Sequence, residues 1–591
     1  MSQGSAPTYI PLLTPELSQR LKQHFENVLV DIIQRNRLSR YATESPALLA
    51  FRNYPEKPSG NDLSAAGVIA ERFHSTVPLS DYDAYYPFIR KLLEQPCKQA
   101  EVENLLSTGY PSYVTFSSMT TGKSLKYYPR YGLPRSNPQQ GSASDRCMFN
   151  CLVMHLGTRR TLLVENETGQ PVAKVPVCTA SAAMLRTLFN MGFDQDKGAL
   201  GIKVPPLTSP IAVSFIDNYR SFILMHALFA LAERRLETLY TAYGTMLIDL
   251  VTFMEEDWDK LLKSIETGTL PDFEGTEHVR PHLALYFSAN PERAVELRSI
   301  APMKGSQGWL TKIWPNFKEY TGIVSGPWSG TFSKVQSYFN SDVTLRSPGY
   351  VLSECWPGIA FSGINLYSLA GDDYYEFLPT SEVEISESET AECLIPACQV
   401  ETGKTYEPVL TSKDGLWRYR LGDLIRIEGF ESTNGFPIMS FIERRYPEMR
   451  MIDATLPAKV IIDAITSAAE DTIGRILEFT SYFDSRAKLP TVGYIVELDG
   501  DIGNNLGRNP SLARNQVLDV LKRQHENIQR NIDMNKMGLP TICIVEHGTF
   551  AECRHKRVES TGVSLTQVKI PVILNDEALL GWLLQRKVHE A

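Results

Sequence analysis

The chain has 591 residues, 43% of them apolar and 21% charged, with a formal net charge of −9. That length exceeds what one hydrophobic core normally holds, so at least two domains are expected, and the acidic balance argues against a general nucleic-acid or anionic-membrane partner while leaving room for a local basic pocket. Nine cysteines, an odd number with no C-x-x-C pair or metal-like spacing, read as reduced, mostly buried thiols in a cytoplasmic protein.

The opening MSQGSAPTYIPLL has neither a basic start nor a long apolar core and does not read as a signal peptide. In residues 14–40, Leu17, Leu21, Phe25, Val28 and Ile32 recur at helical spacing and predict an amphipathic helix. Residues 80–94 and 101–106 read as further helix, and Tyr113–Phe116 as a strand leading into a hydroxyl-rich turn. Helical periodicity dominates residues 217–263 until Gly268 and Pro271 end it; within it the apolar run 222–232, which contains His226, is too short to span a bilayer and predicts a buried helix. His278 and His282 are four apart, but Pro281 between them disfavours the continuous helix that a zinc pair wants. Short β-rich runs follow at 322–325 and 375–378, so helices and strands alternate as in α/β layers. The SESET run at 386–390 reads as a solvated loop. Tyr446-Pro447 interrupts the strand before it, which predicts a boundary between residues 1–445 and 446–591. Beyond it come a helix over 458–477, a strand over Thr491–Leu498, and a helix opened by Asn509-Pro510 and stopping near Gly538.

Three segments in a fixed order carry chemistry. SSMTTGKSLKYYP (117–129) gathers Ser117, Ser118, Thr120 and Thr121 around Gly122, with Lys123 and Lys126 behind: hydroxyl and backbone donors on a turn, then positive charge, suited to a triphosphate. YVLSECWPG (350–358) sets Glu354 directly after Ser353, and GLWRYRLGD (415–423) ends in Asp423. One carboxylate can hold Mg²⁺ on a nucleotide and another can accept from ribose hydroxyls. Each segment alone also reads as an ordinary turn or strand end; the ordered set points to an adenylate-forming site.

The same segments, with IWPNFKEYTGIVSG (313–326), YYEFLP (374–379), YEPVLTSKDGLWRYR (406–420) and GVSLTQVKIP (562–571), resemble blocks of the plant auxin-responsive Gretchen Hagen family of acyl acid-amido synthetases, in family order. That family is a branch of the adenylate-forming superfamily with acyl-CoA ligases and luciferases. The resemblance implies an α/β fold of the luciferase/acyl-CoA ligase-like kind: a large N-terminal adenylation domain and a small mobile α+β C-terminal domain. It also implies an ATP- and Mg²⁺-dependent ligase that adenylates a carboxylic acid and transfers the acyl group to an amine or amino acid. Met119 and Lys123 stand where the family usually has glycine, and Leu352 where serine is common; fewer glycines leave the loop fewer positions free to approach phosphate.

On this resemblance Ser117, Ser118, Thr120, Thr121 and Lys126 are β/γ-phosphate contacts, Ser353 lies on the nucleotide side, Glu354 is the Mg²⁺ ligand and Asp423 the ribose acceptor. Tyr350 and Tyr374 are candidates for adenine contact by stacking, with core packing the alternative for each. Arg444 is a candidate for ribose or phosphate near the hinge, with pairing to a neighbouring acid the alternative. Lys569 is the C-terminal-domain lysine expected over the α-phosphate in the transition state, and Trp328, with the stretch Ala180–Leu188, is a candidate for lining the acyl pocket, with core packing the alternative for both. The identity of the acid, the amine and the oligomeric state are left open. Two other readings share these residues: a thioester-forming ligase of acyl-CoA type, and a non-catalytic nucleotide-binding protein.

Overall fold

The computed structural model describes residues 9–54, 65–116, 126–132, 149–300, 307–325, 332–380, 390–444, 448–451, 454–474, 476–498, 510–550, 552–553, 556 and 572–590. The described residues form two compact units, the first running to Ile442 and the second built chiefly from Glu443 onward.

In the first unit, helix Pro15–Asn36 starts where Thr14 Oγ1 accepts from the Leu17 N–H at 3.3 Å, and it buries Leu21, Phe25, Leu29, Ile32 and Ile33 along one face. Helix Tyr82–Leu93 is capped in the same way by Asp81. Both faces feed an apolar core that joins these helices to two sheets; each large side chain fully buried there contributes about 1.5–3 kcal/mol. One sheet has nine strands among the described residues, with Gly358–Ser362, Leu366–Leu369, Pro437–Arg444, Asp423–Glu431, Thr405–Thr411, Tyr374–Pro379 and Ile395–Pro396 in spatial order; Tyr9–Ile10 and Tyr419–Arg420 pair onto Asp423–Glu431 and Thr405–Thr411. The other orders Cys97–Lys98, Arg160–Glu165, Pro171–Cys178, Tyr113–Phe116 and Tyr127–Arg130.

A second core surrounds helix Tyr219–Ala232, buried from Ser221 to Leu231 as the apolar run predicts. It packs on a parallel sheet of Thr344–Arg346, Glu319–Ile323, Thr238–Tyr243 and Asn150–Val153. Strand Thr238–Tyr243 divides the stretch that the sequence predicts as helical, followed by helices Gly244–Glu256 and Trp258–Thr267. It is six residues long, and its buried positions, Leu239 and Thr241, are one apolar and one polar, so the sequence lacks the clean apolar/polar alternation that marks a half-buried strand. Gly268, at φ +71°, ends the last of these helices. The helix predicted over 101–106 is only Gln99–Val102, because Asn104 takes a left-handed φ of +55°.

Among the described residues, the second unit has a four-stranded sheet, Ile476–Asp484, Thr491–Leu498, Thr541–Val545 and Lys587–Glu590, with helices Ala458–Thr472, Pro510–Gln524, Glu526–Asp533 and Glu577–Leu584. The helix predicted to reach 477 stops at Thr472, two residues before Gly474 at φ +105°. The one predicted up to Gly538 is broken at His525, whose extended backbone and Nδ1 cap the next helix through the Asn527 N–H. Among the described residues no helix is long and apolar enough to cross a membrane.

Candidate active site

The second motif folds back on itself. The Tyr350 N–H donates to the Gly358 carbonyl at 2.9 Å and the Gly358 N–H returns to the Tyr350 carbonyl at 3.2 Å, while the Leu352 N–H reaches the Cys355 carbonyl at 2.9 Å. Ser353 and Glu354 therefore occupy the tip of a tight turn. Gly358 is required by space: a Cβ there would stand 2.8 Å from the Tyr367 Cβ and 3.0 Å from the Tyr350 Cβ.

Ser353 ties this turn to strand Tyr113–Phe116, the one that leads into the hydroxyl-rich motif. Its Oγ donates to the Phe116 carbonyl at 3.1 Å, and its carbonyl accepts from Thr115 Oγ1 at 2.7 Å and from Arg130 at 3.1 Å. Glu354 is buried. Its charge reaches Tyr128, whose hydroxyl is paired with that of Tyr419 at 2.9 Å; burial first, and the Glu354 charge second, hold the Tyr128 phenol far above its ordinary range.

The third motif is held by two ion pairs. Arg418, itself at φ +45°, makes a bidentate contact to Glu376 with both N–O distances 2.8 Å, and also donates to the Val77 and His74 carbonyls. Arg420 clasps Glu407 at 3.0 and 2.5 Å. Gly422 at φ +71° then turns the chain into strand Asp423–Glu431, and Asp423 is buried where it starts. The Tyr350 hydroxyl donates to Asp423 Oδ2 at 2.5 Å, so the second and third motifs meet.

Tyr350 is thereby turned to Asp423, and its ring packs against Tyr367 and Phe441 with centroids 5.9 and 6.1 Å away. Tyr374 sits on the other side of its strand. It is buried against Phe25 and Phe73, with its hydroxyl on His74 Nε2 at 3.0 Å, the contacts of core packing. Its neighbour Tyr375 points the opposite way, towards Cys355; burial and then Cys355 raise that phenol. Lys126 is half-buried just before strand Tyr127–Arg130. Ser117, Ser118, Met119, Thr120, Thr121, Lys123, Trp328 and Lys569, and the side chain of Arg444, lie outside the described residues. Ala180–Leu188 is a helix capped by Thr179. His278 precedes helix Arg280–Ala284 and bonds the Phe215 carbonyl.

The sequence does not reveal Glu376, Glu407, Arg130 or Asp414 as supports. Glu376, Glu407 and Asp414 lie in visible blocks and Arg130 directly follows one, but the paired residues are 13 to 284 positions apart and only the folded chain brings them together. Asp373 belongs to the same group: buried, with a carboxyl pushed up by burial, it accepts the Lys413 N–H at 2.9 Å.

This arrangement of mixed sheets, with two acidic motif residues fixed on one frame, is the fold seen in an acyl acid amido synthetase. A solved structure of GH3.15 acyl acid amido synthetase aligns over 97% of this chain and 95% of its own, with TM-score 0.58 and 21% identity. A structure of AtGH3.15 acyl acid amido synthetase in complex with 2,4-DB aligns with TM-score 0.56 and 20% identity over the same shares. The chain belongs to the GH3 family: models described as the GH3 family N-terminal, central and C-terminal domains match residues 15–344, 367–444 and 459–578. Curated relatives include the putative indole-3-acetic acid-amido synthetase GH3.9 of Arabidopsis thaliana, 26% identical over 62% of this chain and 64% of its own. Indole-3-acetic acid-amido synthetase GH3.4 of the same plant is 28% identical over 62% of each. The match thus spans just under two thirds of those two relatives. Indole-3-acetic acid-amido synthetase GH3.8 of Oryza sativa subsp. indica is 24% identical over 84% of this chain and 82% of its own.

Proposed function

We propose that this chain is an ATP-dependent acyl acid-amido synthetase, with residues 1–445 as the adenylation domain and 446–591 as the C-terminal domain. The observation that carries the reading is the Tyr350–Asp423 hydrogen bond, which joins the YVLSE and YRLGD motifs in a chain matched by all three GH3 domain models. In the first half-reaction a carboxylate oxygen of the acid attacks the α-phosphorus of ATP, the bond to the bridging oxygen breaks, and pyrophosphate leaves. In the second, the amine nitrogen attacks the acyl carbon, AMP departs with the bonding electrons, and the amine proton passes to solvent. Neither step needs a nucleophile from the protein; positioning and charge do the work.

In this reading Asp423, oriented by Tyr350, accepts from the ribose hydroxyls, and Ser117, Ser118, Thr120, Thr121 and Lys126 hold the β- and γ-phosphates. Ser353 lies on the nucleotide side and fixes the turn that bears Glu354. A single buried carboxylate suits Mg²⁺, which takes most of its shell from phosphate oxygens and water. Glu354 would hold the ion, which when bound neutralises phosphate charge. Lys569, inside the stretch matched by the C-terminal domain model, stabilises charge at the α-phosphate; Arg444 serves ribose or phosphate, and Trp328 lines the acyl pocket. The relatives named for indole-3-acetic acid and the neighbour bound to 2,4-DB favour an aromatic acid and an amino acid as the pair joined. Reduced thiols favour a cytoplasmic setting.

The test is pyrophosphate release from ATP and Mg²⁺ across a panel of carboxylic acids, followed by addition of amino acids or CoA. Acid-dependent release abolished by Asp423→Ala, with AMP release accelerated by an amino acid, is the expected result. Acceleration by CoA alone would make the protein a thioester-forming ligase, and ATP binding without release for any acid would make it a non-catalytic binder.

A further inference from the structure

Arg130 touches the surroundings of all three motifs. It lies at the end of strand Tyr127–Arg130, immediately downstream of the hydroxyl-rich segment. Its Nε donates to Asp414 Oδ2 at 2.8 Å, in the loop that opens the third motif, and its other arm donates to the Ser353 carbonyl at 3.1 Å, at the tip of the second. Both side chains are withdrawn from solvent, at 12% and 4% exposure, where such a pair is not screened away. Asp414 is fixed on its other oxygen by the Tyr131 N–H at 2.7 Å. The Ser353 carbonyl takes a second donor, Thr115 Oγ1. The peptide carrying Ser353 into Glu354 is thus clamped from two sides, and the guanidinium is the group that connects it to the third motif.

We propose that Arg130 is a positioning residue for the metal–nucleotide side of the site, acting through the Ser353–Glu354 turn. This rests on the synthetase reading, in which Glu354 holds Mg²⁺. A planar fork with several donors can bridge a carboxylate and a carbonyl in fixed geometry, which a single ammonium cannot. Removing it leaves the Glu354 carboxylate in place chemically but releases its aim.

The experiment is equilibrium binding of ATP, in EDTA and in Mg²⁺, to wild type, Arg130→Met, Arg130→Lys, Glu354→Gln and the Arg130→Met/Glu354→Gln double variant. Arg130→Met is expected to remove about 10- to 100-fold of the Mg²⁺-dependent gain in affinity, the range seen when a metal's outer-shell partner is lost, and Glu354→Gln at least as much. Affinity in EDTA should stay unchanged, Arg130→Lys should fall between, and the double variant should be no worse than Glu354→Gln alone, because both act through one group. An undiminished Mg²⁺ gain in Arg130→Met, losses that multiply in the double variant, or a wild type with no Mg²⁺ gain would overturn the proposal. If Arg130→Met does not fold, Arg130→Lys and Asp414→Asn are judged by the same criterion. Pyrophosphate assays separate the two readings: silence towards every acid with the binding cycle as expected removes the synthetase and keeps the clamp, whereas an active wild type with an unaffected Arg130→Met removes the clamp alone.

Discussion

Tyr350 and Asp423, 73 residues apart in the chain, share a hydrogen bond of 2.5 Å in which a phenol donates to a buried carboxylate. A bond to a charged acceptor is worth about 1.5–3 kcal/mol. Tyr350→Phe keeps the ring packing on Tyr367 and Phe441 and deletes only the donor. The expected outcome is a rise of about tenfold in the KM for ATP, from roughly 1.4 kcal/mol of lost orientation, with kcat less affected. An unchanged ATP dependence would show that Asp423 needs no such support.

The Arg418–Glu376 pair is a matter of stability. Both side chains are nearly inaccessible, at 2% and 5% exposure, and breaking a buried pair by removing one partner costs about 3–5 kcal/mol. Glu376→Gln should lower the chemical-denaturation midpoint sharply, while Lys404→Ala, at an exposed pair in the turn before strand Thr405–Thr411, should barely move it. Equal, small effects would place the frame's strength elsewhere.

Gly358→Ala tests the closure of the second motif. The added methyl would meet the Tyr350 and Tyr367 side chains at 3.0 and 2.8 Å, so one of them must shift. Overpacking of this kind costs about 1–3 kcal/mol, and displacement of Tyr350 should weaken ATP use at the same time. A variant with wild-type melting and wild-type KM would refute the packing argument.

His226 gives a pH signature. Burial, and secondarily the nearby His155, push its imidazole down to about 3, while Nδ1 bonds Ser209 Oγ at 3.0 Å. Below pH 6.5 the unfolded chain takes up a proton that the folded chain refuses, so stability falls as pH drops from about 6.5 towards about 3, at about 1.4 kcal/mol per unit. Urea unfolding between pH 7 and 5 should show a shallower loss in His226→Gln than in wild type; parallel slopes would contradict it.

Strands Tyr113–Phe116 and Thr491–Leu498 stand in the sequence with the bounds the structure gives them, because each is a compact β-rich run between turn formers. Glu354 and Asp423 were legible as acids of ordered motifs. Strand Thr238–Tyr243 was not, since it is short and flanked by strong helices. That Tyr374 packs into the core was equally hidden: adjacent residues of a strand face opposite ways, and which way is decided by pairing partners far along the chain. The arginines of GLWRYRLGD were visible, but not that they close on Glu376 and Glu407, because charge complementarity has no address until strands are in register.

Those two pairs also act as keys. Glu376 faces Val409, and Leu378 faces Glu407, so both acids stand on one side of neighbouring antiparallel strands. A slip of a single residue in Thr405–Thr411 would turn Glu407 to the far side and strand Arg420 without an acid. Misaligned pairings of the sheet are therefore penalised by a misplaced charge, and the segment ending in Asp423 locks only into the alignment that delivers that aspartate to Tyr350.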